Sequence, residues 1–449
     1  MKLIDNLYGQ ASSCTTLEQI RDRHHRIFFD ILLFIGWLVC APAGALTGMN
    51  TVLSAALLLC IVMSFGDENL YVYAALFMFM RYYMLIGDEP VYRLYSYLIT
   101  LRFVIDVPKM KFRIVYLPAL LVFILHCLFA VTPIDNIRNA ISTVIDVALA
   151  YIVLMRVLMD DRLFRKWLFM FLMGGVLSGL YGWLNSEVAV NINVAGAGVH
   201  TVSRNFGALG DANFAGLFYA LCIIVAMVLK GVPKMLRLAL VAMFIVLILQ
   251  TASLSALLTL ATLSVFVIIL KFRGKSIPIL LIGGLVGIIG LSILLTVPWF
   301  QQIEAIAGLI IRINEKLSYL TRGRWDLLTT DRWDLWSAAL EIFAKKPLWG
   351  QLIGGSVITI MITQPGIKFA CHNSYIQALL NFGVLGTLMI YLPLFATFGY
   401  RILTHFVNPK GYEKEDIMII RLAIMFGFIV FGMSVDFFLD WAYIIFYFI

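Results

Sequence analysis

The sequence predicts an all-α, polytopic integral membrane protein, and three observations lead to this fold class. Hydrophobic residues make up 62% of the 449 positions, charged residues only 13%, and the mean hydropathy is +0.94, outside the range of soluble globular chains. Apolar runs long enough to cross about 30 Å of hydrocarbon recur along the whole chain. Basic residues lie mostly in the short segments between these runs, as the positive-inside rule describes.

Apolar runs bounded by charged residues indicate about 12–14 transmembrane helices in a single integral membrane domain, 1–449. The predicted spans are residues 27–46, 50–65, 70–86, 91–107, 114–132, 137–157, 165–185, 213–230, 235–252, 254–271, 277–297, 374–403, 417–434 and 436–449. The two weakest are 91–107, which carries Arg93, Arg102 and Asp106, and 436–449, which is short.

The charge of the loops predicts which ends of the spans face the cytoplasm. Basic segments expected there are 21–26, 108–113, 160–166, 230–237, 271–275 and 408–416. All of them fall on one side when 91–107 is counted as a span. The net charge of +8 is therefore explained by loop charge, and binding to nucleic acid is not indicated.

The same alternation leaves two long segments on the outer side, 186–212 and 298–373. The second is too long for an ordinary connection, and it contains Leu335, Trp336 and Phe343 at helical spacing, followed by the helix-stopping Pro347. We therefore expect the long outer loop to contain short amphipathic helices that lie on the outer membrane face.

The outer segments carry the polar groups that the spans lack. These are Arg204, Arg312, Arg322, Arg324 and Arg332, with His372 and Asn373 at the end of the long loop. Because the arginine fork binds phosphate oxygens in pairs, arginines above a membrane suit a lipid-linked phosphate or pyrophosphate. A histidine with a pKa near neutrality can accept a proton from a hydroxyl nucleophile or form a hydrogen bond to it.

Structural roles are the alternatives for these residues. For Arg312 and Arg322, the alternative is a side chain that extends towards lipid headgroups at the membrane surface. For His372, the alternative is a purely structural group, as a single histidine at a helix start often is. Asp146 and Asp436 suit a proton relay in a transporter, an ion pair with a residue such as Arg156, or a helix end. Glycines 174, 175, 179 and 182 predict close helix packing.

The motifs that are missing also restrict the chemistry. The sequence has no P-loop, no GxSxG and no Asp-x-Asp pair on the outer face, and neither its six cysteines nor its histidines have the spacing of metal ligands. Nucleotides are absent outside the membrane. A transferase there must use an activated lipid donor whose pyrophosphate leaves, and we expect no metal and no cofactor.

Three blocks together resemble the O-antigen ligase/polymerase superfamily, the Wzy and WaaL group. They are RNFGALGDANFAG at 204–216, DRWDLWSAALEIFAKKPLWG at 331–350 and HNSYIQALLNFGVLG at 372–386. The resemblance covers roughly the C-terminal 250 residues, and the last two blocks in combination are its specific part.

The resemblance implies an inverting, metal-independent glycosyltransferase of the GT-C type, which acts on undecaprenyl-diphosphate-linked glycan at the outer face of the bacterial cytoplasmic (inner) membrane. By position in the blocks, it implies that Arg332 and Arg204 bind the lipid pyrophosphate and that His372 activates or orients the acceptor hydroxyl. Asn373 holds His372 or the sugar in this scheme, and Arg324 is a second candidate for the phosphate. Asp211 and Asn213, in the first block, are assigned to substrate binding.

One element departs from the family pattern. Relatives commonly have an SRG element after the ninth span, whereas this chain has QTASLSALL at 250–258, with Leu254 where the basic residue would stand. The function of that residue must then be supplied by another arginine or is not needed.

The predicted function is polymerisation of lipid-linked repeat units, in which the growing chain leaves its lipid pyrophosphate as a sugar of the incoming unit attacks. A ligase, which transfers the finished glycan to lipid A core or to protein, shares the donor half of this reaction and is the alternative. A secondary transporter or a glycan flippase is the rival from another class. Expected partners are the lipid-linked donor and acceptor, membrane lipids and a chain-length regulator protein.

Overall fold

A computed structural model of the chain describes most residues from 68 onwards and isolated positions before them. The described residues are 27–28, 31–32, 35–36, 39, 55, 61–62, 68–76, 85–86, 89–107, 113–129, 150–153, 155–158, 160–185, 188–194, 198–204, 206–302, 304–323, 332–350, 371–407 and 415–435. The predicted spans 27–46, 50–65, 137–157 and 436–449 lie wholly or largely outside them.

The described fold is built from helices. They are α1 Val91–Asp106, α2 Leu117–Phe129, α3 Asp161–Asn185, α4 Ala212–Val228, α5 Lys234–Thr251, α6 Leu254–Phe272, α7 Ser276–Thr296, α8 Glu304–Thr321, α9 Arg332–Lys345, α10 Ser374–Val407 and α11 Glu415–Phe431. Within the described residues, α3, α5, α6 and α10 are long and apolar enough to cross a membrane. The protein is therefore an all-α, polytopic membrane protein, as predicted, while the total of 12–14 spans stays a prediction.

Two antiparallel hairpins interrupt the helices. Strands β1 Leu85–Ile86 and β2 Glu89–Pro90 form the first, and β3 Val188–Val194 and β4 Gly198–Arg204 form the second. The second hairpin falls in the segment 186–212, which is predicted to lie on the outer side and for which the sequence predicts no regular element. Its valines, Ile192 and Thr201 are the β-branched residues that favour strands.

Contacts between residues in space divide the chain into two compact units. Unit 1 comprises residues 1–111, 155–311 and 414–423, and unit 2 comprises 112–154, 312–413 and 424–449. Each unit contains one part of the predicted site.

Unit 1 is organised around α4, which is buried on nearly every side. A helix that is apolar all round belongs in the interior of a bundle, and α3, α5 and α6 pack around it. At Gly175 of α3, an added β-carbon would lie 2.8 Å from the Cys222 sulfur and 2.9 Å from the Phe244 ring. Gly179 is similarly close to Leu247. The predicted close packing at these glycines is confirmed.

Several of the basic loops meet at one end of unit 1. Asp416, at the start of α11, accepts hydrogen bonds from both terminal nitrogens of Arg165 at 2.7 and 2.9 Å and from the Lys230 backbone N–H at 3.1 Å. Burial alone would raise the pKa of Asp416, but these donors outweigh it and hold the pKa below its ordinary value. Arg273 pairs with Glu415 at 3.8 Å. Four loops predicted to share one side of the membrane are therefore in contact.

Unit 2 is organised around α10, which is broken at Gly383. This residue has φ 65° and ψ −173°, so the helix loses its regular hydrogen bonds there. The N–H groups of Val384 and Leu385 instead donate to the carbonyls of Pro347 and Leu348, at 2.8 and 3.2 Å. The predicted span 374–403 is thus a helix of two parts, joined where another segment pairs with its backbone.

The turn after α9 pairs with this break, and only glycines allow the approach. A β-carbon on Gly350, which has φ 57°, would lie 2.5 Å from the Gly383 nitrogen and from the Leu380 carbonyl oxygen. The Pro-x-x-Gly of the second sequence block and the first glycine of the Gly-x-x-Gly in the third block are therefore explained by backbone contact. Gly386 faces Val122 of α2.

Helix α9 confirms the helix predicted within 331–350. Leu335 and Ala339 are buried against Cys371 and Leu380, with Trp336 and Phe343 partly buried beside them. Burying one leucine side chain contributes roughly 1.5–3 kcal/mol. The apolar face of α9 is thus covered by the start of α10.

Candidate functional site

In unit 1, the first block forms the turn that leads into α4. Arg204 ends β4, where it pairs with Val188 across the hairpin. Gly207 and Gly210 have φ of 57° and 75°, a region that glycine occupies without steric cost. Asp211 then caps α4, because its Oδ1 accepts from the N–H groups of Asn213 at 2.8 Å and Phe214 at 3.1 Å.

The turn is held against α3 and α4 at Gly207. The Ala208 N–H donates to Ser178 Oγ at 3.0 Å, and Ser178 Oγ lies 3.3 Å from the Tyr219 hydroxyl. A β-carbon on Gly207 would overlap both hydroxyl oxygens. Glycine is required here for close approach as well as for its dihedral angle.

Asn213 connects this turn to the break between α5 and α6. Ser253 Oγ donates to Asn213 Oδ1 at 2.8 Å, and the preceding Ala252 has φ 46°. The segment that departs from the family pattern therefore contacts the first block directly, with Leu254 as the first residue of α6. The polar contact at this break is supplied by the hydroxyl of Ser253.

In unit 2, Arg332 and the start of α10 are both attached to the segment 432–435, which follows α11. Arg332 donates from Nη1 to the Ser434 carbonyl at 2.8 Å. Ser374 donates from its N–H to the Gly432 carbonyl and from Oγ to the Val435 carbonyl, each at 2.7 Å. The structure therefore holds two of the predicted site elements on one short turn.

His372 lies immediately before this attachment, in a left-handed conformation with φ 49°. Residues other than glycine seldom adopt it, although histidine does so more readily than most. Asn373 follows as the cap of α10, because its Oδ1 accepts from the N–H groups of Tyr375 at 3.0 Å and Ile376 at 3.2 Å. His372 is half-buried, whereas Asn373 is buried.

The remaining predicted residues are distributed as follows. Arg324, Asp146 and Asp436 lie outside the described residues, and for Arg204 the structure describes the backbone. Arg322 is exposed just after α8. Burial lowers the pKa of Arg312 on α8, and Glu315 counteracts this. Among the described residues, no three His, Cys, Asp or Glu side chains cluster as metal ligands.

Sequence reasoning missed the residues that support the candidate groups. Ser374 lies in the third block but its side chain gave no catalytic signal, and nothing marks the turn 432–435, which lies outside all three blocks, since carbonyl acceptors are supplied by the backbone of every residue. Trp336 and Gln377 have apolar or amide side chains that gave no catalytic signal, although Trp336 belongs to the second block. Membership of the second and third blocks was the available indication for Trp336, Ser374 and Gln377.

Comparison with known proteins agrees with the sequence blocks. Residues 238–391 match the model of the Wzy_C family, which is described as O-Antigen ligase. The match covers about a third of the chain and includes Arg332, His372 and Asn373, while Arg204, Asp211 and Asn213 precede it. No curated protein matches the chain. The match supports similarity to the O-antigen ligase/polymerase superfamily, whose members process glycans.

Proposed function

We propose that this protein polymerises undecaprenyl-diphosphate-linked oligosaccharide repeat units by metal-independent, inverting glycosyl transfer. The observation that carries the proposal is the attachment of Arg332 and Ser374 to one turn, 432–435, in a region that overlaps the family match. Arg332 and His372, which lies two residues before Ser374, are the two groups that we assign to transfer from a lipid diphosphate.

In the proposed reaction, an acceptor hydroxyl oxygen attacks the anomeric carbon of the donor, and the bond from that carbon to the diphosphate oxygen breaks. His372 accepts the hydroxyl proton or orients the hydroxyl by a hydrogen bond. Arg332 stabilises the negative charge that develops on the leaving diphosphate. The charge of arginine is permanent, so no metal is needed for this role.

The other assigned residues bind substrate. They are Arg204, Arg324, Asn373, Asp211 and Asn213. We propose that the reaction takes place at the outer face of the cytoplasmic membrane, the side on which the charge of the loops predicts these residues to lie, and that a chain-length regulator is a further partner.

A ligase is the second candidate function. The specific observation in its favour is the description of the matching family as O-Antigen ligase. A ligase would use the same donor chemistry and differ in its acceptor, which would be lipid A core or a protein.

Glycan product size tests the proposal. Membranes containing the chain, supplied with the lipid-linked repeat unit, are compared with membranes containing His372→Ala or Arg332→Ala at matched protein levels. We expect a ladder from the wild type and single repeats from both variants. Arg322→Ala, which removes an exposed arginine after α8, is the matched control and should retain the ladder.

The alternatives give different products. Full ladders from both variants would exclude these roles and turn attention to a transporter and Asp146. Ladders that the wild type transfers to a final acceptor, but that stay on the lipid carrier in both variants, would identify a ligase.

A further inference from the structure

We infer that Trp336 and Gln377 are positioning residues for His372, which they hold in its left-handed conformation through the backbone of Cys371. This inference rests on the proposed function, because it assumes that the direction of the His372 side chain matters for the reaction. It assigns a role to two side chains that carry no reactive group.

Both backbone groups of Cys371 are bonded to side chains. The residue is fully buried, so its N–H and C=O require partners inside the protein. The N–H donates to Gln377 Oε1 at 3.1 Å, and the C=O accepts from Trp336 Nε1 at 2.9 Å. One partner comes from α9 and the other from α10, so the segment before His372 is held from two sides.

The bond from Trp336 acts most directly on His372. The Cys371 carbonyl lies in the peptide plane that joins residues 371 and 372. Rotation of this plane about the N–Cα bond of His372 is the φ angle of His372. Fixing the carbonyl oxygen therefore fixes one side of that torsion, and the bonds of Asn373 and Ser374 fix the other side. Without the indole N–H, the plane is free to rotate towards the negative φ that non-glycine residues prefer.

Gln377 is itself held in place. It is fully buried, and its Nε2 donates to Asn381 Oδ1 at 3.0 Å, one helical turn further along α10. The amide oxygen is thereby directed at the Cys371 N–H. A buried, hydrogen-bonded chain of this kind favours one arrangement over others.

The chain after His372 is equally constrained. Asn373 caps α10, and Ser374 is bonded to the turn 432–435. His372 is thus the one residue of 371–374 with a positive φ, between neighbours that are fixed on both sides. A strained backbone persists where the surrounding structure over-determines it, and such positions cluster at functional sites.

The kinetic test compares Trp336→Phe and Gln377→Leu in the full-length protein with wild type and His372→Ala. We expect kcat for repeat-unit consumption to fall roughly 10- to 100-fold, the effect of a displaced catalytic group, with KM for the lipid-linked donor unchanged. Trp333→Phe is the matched control. Trp333 is on the same helix and 61% exposed, and its replacement should leave kcat unchanged.

Two further variants separate positioning from general stability. Gln377→Glu keeps an acceptor for the Cys371 N–H and should recover much of the kcat lost in Gln377→Leu. In a His372→Ala background, Trp336→Phe should lower the residual rate no further, because it acts through His372. A full additional loss in that background would overturn the inference.

The thiol of Cys371 gives a readout that does not depend on activity. Cys371 is free and buried, so its alkylation by a small maleimide, measured on its peptide by mass spectrometry, should be slow in wild type and in Trp333→Phe. We expect faster alkylation in Trp336→Phe and Gln377→Leu. Unchanged protection would show that these side chains do not hold the turn, and faster alkylation with unchanged kcat would show that the turn does not position His372.

The kinetic results distinguish failure of the inference from failure of the proposed function. Loss of activity in His372→Ala with wild-type kcat in Trp336→Phe and Gln377→Leu would overturn the inference alone. Wild-type activity in His372→Ala would overturn both.

Discussion

Two turns in this protein, one in each unit, lead into a helix through a residue with positive φ followed by a side-chain cap. Before α4, Gly210 has φ 75° and is followed by the cap Asp211; before α10, His372 has φ 49° and is followed by the cap Asn373. Each cap accepts hydrogen bonds from the N–H groups two and three residues further on. The turns differ in the residue that occupies the left-handed position.

At one of the two positions the protein has a less stable backbone conformation and, in return, carries a side chain. Glycine adopts a positive φ without steric cost, whereas another residue there is destabilised by roughly 1–2 kcal/mol. At 210 the chain uses glycine, and at 372 it uses histidine in the same geometry. A strained histidine beside a cap is expected if its imidazole is required.

The largest expected effect is on glycan transfer, and it comes from replacing His372 with glycine, the residue found at the corresponding position of the first turn. His372→Gly should lower glycan transfer about 100-fold or more, since general acid–base groups contribute at least this much. The same substitution should raise the free energy of unfolding by about 1 kcal/mol, because it removes the left-handed strain. Product formation in membranes and thermal unfolding in detergent measure the two effects.

His372→Ala is the control for this pair of effects. It removes the imidazole but keeps a β-carbon at positive φ, so we expect the same loss of activity without added stability. Lower stability in His372→Gly would mean that the imidazole stabilises the turn by its contacts, and the comparison with Gly210 would then fail.

The second-largest expected effect is on stability, and it differs between the two glycines of the turn before α4, Gly207 and Gly210. Gly207→Ala should destabilise the protein by roughly 3 kcal/mol, because its β-carbon would overlap the Ser178 and Tyr219 hydroxyls and lie 2.9 Å from the Ser178 carbonyl oxygen. We expect a markedly lower unfolding temperature. Ser178→Ala, combined with Gly207→Ala, should recover part of the loss by making room.

Gly210→Ala should have a smaller effect. A β-carbon at 210 meets no atom within 4 Å, so the cost is the backbone conformation alone, about 1 kcal/mol. The same unfolding measurement checks it. A loss as large as that of Gly207→Ala would show that the two turns do not share the geometry on which the comparison depends.

The sequence was sufficient for the features that repeat or that have a local cause. Apolar runs gave the helices, because spanning segments must satisfy their own backbone in lipid. Helix-packing glycines such as Gly175 were predictable from their spacing, and the helix within 331–350 from its apolar positions. Arg332 and His372 were identifiable as candidates because reactive residue types are few in an apolar chain.

Features that depend on distant backbone were not predictable. The break of α10 at Gly383 depends on carbonyls of Pro347 and Leu348, more than thirty residues earlier in the sequence. The hairpin of β3 and β4 lies in a segment, 186–212, whose sequence was interpreted as a loop between two spans. The attachment of Arg332 to the Ser434 carbonyl involves an acceptor that every residue possesses, so no residue type marks it.

The smallest expected effect on stability separates the two functions of Asn373. Asparagine and aspartate cap helices about equally well, and a negative charge at a helix start is favourable, so Asn373→Asp should change the free energy of unfolding by less than about 0.5 kcal/mol. If the amide also binds the lipid-linked sugar, as proposed, the carboxylate loses its two donors and repels the diphosphate. We therefore expect glycan transfer to fall while the unfolding temperature stays constant. Asp211→Asn is the mirror control for capping in the other turn, and unchanged transfer in Asn373→Asp would leave Asn373 with capping as its whole role.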